Sequence, residues 1–234
     1  FILSILPLSG GYHMHLMKAE SPGPEVSKLA PRVQSTAKIL YGIYLVLTAV
    51  EVVLLLLGNM PLFDALTTTF GTAGTGGFGI KNDSITSYSP YIQYVVTIFM
   101  ILFGVNFNAY FLILMGRAKQ LRYAEEVWTY LGIIAASVAV IAFNTYRIYQ
   151  NVEETFRHAA FQVASIITTT GFATTDFDQW PQLSRTILVI LMLIGACAGS
   201  TGGGIKVSRL LILVKSIRME FHYFLHPREV RCLR

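Results

Sequence analysis

The sequence predicts an all-α integral membrane protein. Of its 234 residues, 53% are hydrophobic, only 13% are charged, and the apolar residues fall in long runs. A water-soluble domain usually carries about 25% charged residues, so these charges are too few to cover one. A disordered chain is excluded because such chains are poor in apolar residues, and 2 cysteines exclude a disulfide-stapled secreted domain. The net charge of +5 is not gathered into a basic face with aromatic residues, so we expect no nucleic-acid partner.

Four apolar runs are long enough to cross a bilayer, which takes about 20 residues. They cover residues 39–57, 92–115, 127–143 and 186–214. The first three fit a spanning helix, whereas the fourth is interrupted at its centre by GACAGSTGGGIK. A shorter apolar run at the start of the chain ends in Ser-Gly-Gly, and the first residue is Phe rather than Met. We therefore expect the chain to be a fragment that begins with the end of a transmembrane helix.

The basic residues alternate between the connections. Most of the 18 Lys and Arg residues precede the first run, lie between the second and third, or follow the break in the fourth. The two other connections hold only Lys81, Arg147, Arg157 and Arg185. Basic loops stay in the cytoplasm, so the first and third spans are predicted to run outward and the second and fourth inward. The expected location is a multi-pass position in the plasma membrane.

The two outward connections repeat one order of parts: a polar start, an apolar stretch of about three helical turns, a Thr/Gly cluster and a polar tail. They read FDALTTTFGTAGTGGFGIKNDS at residues 63–84 and TFRHAAFQVASIITTTGFATTDFDQW at residues 155–180. The charge pattern indicates that each stretch enters the membrane and returns on the same side. Irregular backbone at membrane depth is tolerated only where it is buried or lines a watery cavity. The predicted unit is therefore helix, re-entrant pore loop, helix, present twice.

Both loops contain Thr-x-Gly-Phe, with Gly77 aligned to Gly171. A short helix directed inward presents the negative end of its dipole and unpaired carbonyls at mid-membrane, and both favour a cation. Carbonyls that face a common axis can replace the hydration shell of a monovalent cation. Neither turn holds a carboxylate, which favours potassium or sodium over a divalent ion. The predicted filter carbonyls belong to Thr75, Gly76, Gly77, Thr169, Thr170 and Gly171.

The alternative interpretation of these turns is that small residues let helices pack closely. We expect Phe78 and Phe172 to support the filter from behind rather than line it. The only bound species expected is a monovalent cation, potassium or sodium, with no organic cofactor in this chain.

The break in the fourth run gathers several glycines in one membrane segment. Each glycine costs a helix about 1 kcal/mol relative to alanine, so the helix should open near half depth, below the filter. The sequence predicts a gating loop in the ion path, with Lys206 as a movable electrostatic barrier; the alternative is a packing face without gating. A phosphate-binding loop is disfavoured because GSTGGGIK lacks the G-x-x-x-x-G-K-[ST] pattern. The predicted loop residues are Gly195, Gly199, Ser200, Thr201, Gly202, Gly203, Gly204 and Lys206.

Polar residues inside the spans have several possible roles. Glu51 is a carboxylate within the first span, where such a group usually faces a partner or water. Asn106 and Asn108 in the second span are expected to make interhelical hydrogen bonds. No Ser–His–Asp set, G-x-S-x-G or H-E-x-x-H motif occurs, so we do not expect an enzyme. The functions that compete with a potassium-selective pore are a sodium-conducting pore, a non-conducting scaffold and a membrane-embedded enzyme.

With its TAGTGGFG and TTTGFATT turns, the chain resembles the Trk/Ktr/HKT superfamily of potassium transporters. HLMKAESPGP at residues 15–24 and GACAGSTGGGIKVSRLLILVKSI at residues 195–217 are similar to the bacterial Trk-type pore subunit in particular. The resemblance covers residues 1–220 and implies four helix–pore loop–helix units around one pseudo-fourfold pore. Residues 1–35 would then be the end of a preceding helix and a linker, and residues 36–117 the second unit. Residues 118–218 would be the third unit, with a broken inner helix, and residues 219–234 a link toward a fourth.

The resemblance also implies a function and partners. The function is potassium uptake across the bacterial inner membrane, and a glycine in each filter turn goes with potassium selectivity, which Gly77 and Gly171 match. The second glycine of the first turn, Gly76, is a departure that keeps a sodium-conducting member as the alternative. The implied partners are the lipid bilayer, a second copy of the full-length chain and a cytoplasmic nucleotide-binding regulatory subunit. Lys119 and Arg218 could contact that subunit, and lipid headgroups fit these two charges equally well.

Overall fold

The computed structural model describes residues 33–122 and 124–225. These residues form nine α-helices and one 3-10 turn at Phe177–Gln179; the β-type pairing among them is an isolated bridge between Ile194 and Ile205. The all-α class is confirmed. Most of the linker predicted at residues 1–35, and the end of the chain from residue 226, lie outside the described residues. The helices are α1 Val33–Leu57, α2 Leu62–Ala73, α3 Pro90–Gly104, α4 Phe107–Leu114, α5 Ala118–Leu121, α6 Glu125–Tyr149, α7 Val152–Ile167, α8 Gln182–Leu193 and α9 Val207–Leu225.

Two of these helices, α1 and α6, are long and apolar enough to cross a membrane on their own. Helices α3 and α4 meet the same criterion when they are taken together as one bent span. Helix α8 is apolar but only 12 residues long, and the chain between it and α9 is irregular. The shorter helices α2 and α7 occupy the two connections that the sequence predicts to be re-entrant.

The second span is bent, which the continuous apolar run at residues 92–115 did not predict. Helices α3 and α4 meet at 89°, and Val105 between them is extended, with φ −78° and ψ 148°. The bend frees carbonyls of the last turn of α3 for other donors. Gly104 O accepts a hydrogen bond from the N–H of Cys197 at 3.1 Å. The irregular segment after α8 therefore supplies a donor to a carbonyl that has no partner within the broken helix.

Local signals in the sequence explain where the helices begin and end. Ser89 caps α3 by accepting a hydrogen bond from the N–H of Ile92, and Pro90 fits the first helical position because its missing N–H is not needed there. Asn151 caps α7 by accepting from the N–H of Glu153 at 3.1 Å. Gln150, with φ +54°, ends α6 in the left-handed conformation and lets the chain reverse into α7.

The buried apolar side chains form two cores, and each of them crosses between the predicted units. One core joins α1, α2, α3 and α4 with Phe161 and Ala164 of α7, and the other joins α6, α7 and α8 with Val105 and Ala109 of the bent span. The units meet where α3 packs on α7, and there the buried guanidinium of Arg157 donates to the Gln93 side-chain oxygen and pairs with Glu153 at 2.9 Å. Large apolar side chains such as Leu57 and Leu193 remain exposed on the outside. An apolar outer surface of this kind suits contact with lipid or with further helices.

Candidate ion pathway

The turns that follow α2 and α7 have the same backbone hydrogen bonds, residue for residue, when Gly77 is aligned with Gly171. Four N–H groups of each turn bond to carbonyls of the preceding helix. In the first turn the pairs are Gly74 to Phe70 (2.9 Å), Thr75 to Thr72 (3.1 Å), Gly76 to Gly71 (2.8 Å) and Gly77 to Gly71 (3.4 Å). In the second they are Thr168 to Ala164 (3.1 Å), Thr169 to Ile166 (3.0 Å), Thr170 to Ser165 (2.9 Å) and Gly171 to Ser165 (3.3 Å). The repeat seen in the sequence is therefore also a repeat of backbone structure.

The backbone dihedrals repeat as well. Thr75 and Thr169 have φ of +50° and +59°, and Gly77 and Gly171 have φ of +64° and +90°. Left-handed backbone is uncommon for a β-branched residue such as threonine and costs of order 1–3 kcal/mol. Strain of this kind, present twice at equivalent positions, marks the two turns as candidate functional elements.

The carbonyl oxygens of the two turns accept no hydrogen bonds from the described residues, whereas the carbonyl oxygens of the flanking residues do. In the part of the chain that the structure describes, no hydrogen bond is made to the carbonyls of the six predicted filter residues. The flanking carbonyls are occupied: Gly74 O accepts from the Thr75 hydroxyl, Phe172 O from the Ser165 hydroxyl, and Ala173 O from the N–H of Ile85. The free oxygens therefore coincide with the residues predicted to bind the ion, which are Thr75, Gly76, Gly77, Thr169, Thr170 and Gly171.

The two turns lie directly against each other. A Cβ atom placed on Gly77 would overlap the carbonyl oxygen of Thr170, so only glycine allows this approach. Just beyond the turns, the N–H of Ile85 donates to Ala173 O, and the N–H of Ala173 donates to the Ser84 hydroxyl, both at 3.1 Å. The chain thus brings its two sets of free carbonyls into one place.

The two phenylalanines of the turns occupy different environments. Phe172 is 1% exposed and packs against Gly71 at the end of α2, where a Cβ atom would lie 2.9 Å from its ring. This position behind the turns agrees with the supporting role expected from the sequence. Phe78 is 83% exposed and supports nothing within the described residues, in contrast to that expectation.

The irregular segment 195–206, here called the loop, contacts both turns at equivalent threonines. The Thr75 hydroxyl shares its one proton between Gly74 O at 2.8 Å and Thr201 O at 3.0 Å, and the Thr169 hydroxyl accepts from the N–H of Gly203 at 2.7 Å. A Cβ atom on Gly202 would lie 3.1 Å from the carbonyl oxygen of Thr168, so the backbone of the loop comes close to the second turn. The loop therefore lies against both turns.

The other side of the loop contacts the bend of the second span. The N–H of Phe107 donates to Gly199 O at 3.2 Å, and the Thr201 hydroxyl donates to Phe103 O at 3.3 Å. Lys206 is half-buried, and its ammonium group donates to Gly202 O within the loop itself. The charge of Lys206 is thus bonded to the backbone of the loop.

Glu126, in the first turn of α6, contacts the loop, and the sequence did not indicate this contact. Its carboxylate accepts a hydrogen bond from the N–H of Ala198 in the loop at 2.6 Å and from the Asn106 side chain at 3.4 Å. Asn106 in turn caps α4 by accepting from the N–H of Asn108 at 2.9 Å. One carboxylate therefore joins α6, the loop and the bent span. From the sequence alone, two adjacent glutamates at the start of a helix indicate only a favourable interaction of their charges with the helix dipole.

The candidate partner contacts, Lys119 in α5 and Arg218 in α9, are both exposed. An ion pair between Lys215 of α9 and Glu125 of α6 fixes these neighbouring elements together.

No group of three or more His, Cys, Asp or Glu side chains is placed to hold a metal ion within residues 33–122 and 124–225.

The comparisons with known proteins agree with this architecture. The whole chain, residues 1–234, matches the TrkH family, described as a cation transport protein. The Trk system potassium uptake protein TrkH of Salmonella typhimurium is 36% identical over 233 residues, which cover 97% of this chain and 48% of that protein. The Trk system potassium uptake protein TrkG of Escherichia coli is 33% identical over 232 residues.

A crystal structure of the potassium transporter TrkH from Vibrio parahaemolyticus superimposes with a TM-score of 0.82 at 32% identity, covering 89% of this chain and 46% of that one. The chain spans about half the length of the curated relatives that it matches. These relatives are transport proteins rather than enzymes. The chain belongs to the TrkH family of cation transport proteins.

Proposed function

We propose that the chain forms the second and third of four units around a potassium uptake pore in the bacterial inner membrane. The observation that carries this proposal is the pair of matching turns whose carbonyls are free of protein hydrogen bonds. Two equivalent loops side by side are what a pore with pseudo-fourfold symmetry needs. The names of the relatives support potassium as the ion.

In this proposal a potassium ion exchanges water for the carbonyls of Thr75–Gly77 and Thr169–Gly171. The C-terminal ends of α2 and α7 point at the same place and add a partial negative charge of about half a unit each. Both effects favour a bare cation over an anion. The free carbonyls also rank the filter above the packing interpretation of the turns, because close helix packing does not require unpaired backbone.

The loop is proposed to act as the gate. It bonds to the turns through Thr75 and Thr169, and it is held from below by Glu126. Opening would require these hydrogen bonds to break, together with those that join the loop to Phe103, Gly104 and Phe107 of the bent span. Because each contributes about 1 kcal/mol net, a modest force from a partner could move the loop. The proposed source of that force is a nucleotide-binding regulatory subunit docked near Lys119 and Arg218, on a full-length homodimer.

Ion uptake tests the filter. In the complete gene product that carries this sequence, potassium and sodium uptake are compared for the wild type and for Gly171→Ser. A Cβ atom on Gly171 meets no other atom within 4 Å, so the serine side chain has room beside the pathway, although the φ of +90° adds backbone strain of about 1 kcal/mol. We expect potassium preference in the wild type and more sodium uptake in the variant. Equal sodium uptake in the wild type would favour the sodium-conducting alternative. An unchanged ratio of potassium to sodium uptake in the variant would exclude the filter assignment. If the wild type takes up neither ion, the non-conducting scaffold becomes the favoured function.

A deletion tests the gate. Removing four residues within 199–204 shortens the loop and should raise potassium flux even without the regulatory subunit. The folded deletion variant is compared with the wild type, with the regulatory subunit absent from both. If the variant conducts no faster, the loop is not the barrier and its glycines serve packing alone.

A further inference from the structure

Glu51 is a buried carboxyl group that the pore mechanism does not use. It lies in the C-terminal half of α1, near the last turn of α2, and is 0% exposed. Neither of its oxygens has a hydrogen-bond partner among the described residues. Since this chain alone already encloses the side chain completely, neither lipid nor another subunit can reach it without a rearrangement.

An ionised carboxylate in this position would be costly. Burying a charge without a partner costs several kcal/mol even after the protein relaxes. The partners of paired carboxylates elsewhere in the chain show the contrast: Glu153 has Arg157 at 2.9 Å, and Glu126 has the N–H of Ala198 at 2.6 Å. Glu51 has no cation and no N–H donor of this kind within the described residues.

The neighbouring hydroxyl decides which protonation state can bond. The Thr72 hydroxyl faces Glu51 but gives its proton to Thr68 O at 2.9 Å. A hydroxyl has one proton, so Thr72 can then only accept a further hydrogen bond. Thr69, one turn earlier on the same face of α2, is also fully buried and its hydroxyl has no partner among the described residues. The Thr69 hydroxyl is not hydrogen-bonded to Glu51, since neither group has a partner among the described residues. At Thr72, an acid proton on Glu51 would find an acceptor oxygen, whereas a carboxylate would find the hydroxyl proton already given to Thr68 O.

We propose that Glu51 is a proton-binding site: its carboxyl group is held in the neutral acid form, and a small rotation of the side chain lets it donate to the Thr72 hydroxyl a hydrogen bond that is not formed in this structure. The titratable neighbour recorded for it among the described residues is Tyr44, two turns earlier on α1. The bond ties α1 to the end of α2. Thr72 O accepts the N–H of Thr75 at 3.1 Å, so the proton supports the helix turn on which the first filter turn is built.

Infrared spectroscopy of the complete gene product in membranes tests the proposal directly. The difference spectrum between the wild type and Glu51→Gln at neutral pH should show the carbonyl stretch of a protonated carboxylic acid, lost in the variant. A spectrum in which the variant instead loses carboxylate bands would overturn the proposal and indicate an ionised Glu51 with a bound cation. This readout does not depend on which ion is transported, so it remains informative if the proposed potassium uptake fails.

Two further variants complete the test. The amide of Glu51→Gln can donate to Thr72 as the acid does, so thermal stability and ion uptake should remain at the wild-type level. Loss of either would show that the charge, not the proton, is needed. Thr72→Val keeps Glu51 and removes the acceptor, so the acid band should shift to the frequency of a carboxylic acid without a hydrogen bond. An unshifted band would overturn the Glu51–Thr72 contact, even if Glu51→Gln did not fold.

Discussion

The Thr169 hydroxyl accepts a hydrogen bond from the N–H of Gly203 at 2.7 Å. This contact joins the second filter turn to the proposed gate directly. Its counterpart in the first turn runs the other way, since the Thr75 hydroxyl donates to Thr201 O at 3.0 Å. Two equivalent residues of a repeat thus use the same atom, once as acceptor and once as donor, to hold one loop.

Thr169→Val should weaken the closed position of the loop. Valine keeps the shape of threonine and removes the acceptor, at a cost of about 1 kcal/mol, which is about a fivefold shift in an equilibrium. We expect potassium flux without the regulatory subunit to rise by about that factor. The control is Thr169→Ser, which keeps the hydroxyl and should stay near the wild-type flux. Equal flux in both variants would mean that the bond does not hold the gate.

Glu126→Ala should release the loop from below. The N–H of Ala198 is buried and would lose its acceptor, at a cost of about 1–3 kcal/mol. The expected results are a higher basal flux and a lower thermal midpoint in detergent. Glu126→Gln retains one acceptor oxygen and should lie between Glu126→Ala and the wild type. The matched control is Glu125→Ala, which removes only an exposed ion pair with Lys215. If Glu126→Ala behaves like Glu125→Ala, the anchor has no role.

The contrast between these two glutamates shows the limit of sequence reasoning at this site. Glu125 and Glu126 are the same residue type and lie next to each other in the first turn of α6. Only the tertiary fold directs one of them to the surface and the other to the loop. The same holds for the bend near Gly104, because the apolar run continues through it and the hydrogen bonds that stabilise it come from the distant Cys197. Interactions between remote segments leave no local pattern in a sequence.

What the sequence could predict are features that every unit must encode locally. The paired turns follow from glycine at Gly77 and Gly171, where the backbone needs a positive φ. The loop follows from a glycine cluster that no helix tolerates well. The sequence alone could not separate the two phenylalanines. Phe172 is buried because it packs on Gly71 of the other turn's helix, whereas Phe78 finds no such neighbour among the described residues and stays exposed.

The direction of the spans can be checked by labelling cysteines. In the complete gene product, with other accessible cysteines replaced by serine, Asn82→Cys lies in the connection between α2 and α3 and Lys119→Cys lies in α5; both native side chains are exposed. A membrane-impermeant thiol reagent applied to intact cells should label only the first, because basic connections stay inside. Permeabilised cells provide the control, in which both should react. Labelling of Lys119→Cys from outside would reverse the proposed topology.

Gly77→Ala should destabilise the protein more than Gly171→Ala. Both residues have positive φ, so each alanine costs about 1 kcal/mol of backbone strain. Gly171 has open space around the added carbon, whereas at Gly77 the carbon would overlap the carbonyl oxygen of Thr170 and force the two turns apart. Overpacking of this kind adds about 1–3 kcal/mol.

The measurement is the thermal midpoint of the complete gene product in detergent, with Gly116→Ala as the control. Gly116 shares the positive φ, at +70°, and has no atom within 4 Å of an added carbon, but it lies away from the turns. Gly171→Ala should therefore lower the midpoint about as much as Gly116→Ala, and Gly77→Ala should lower it further. If all three variants melt together, the two turns are not in contact in the assembled protein, and their carbonyls do not share one ion path.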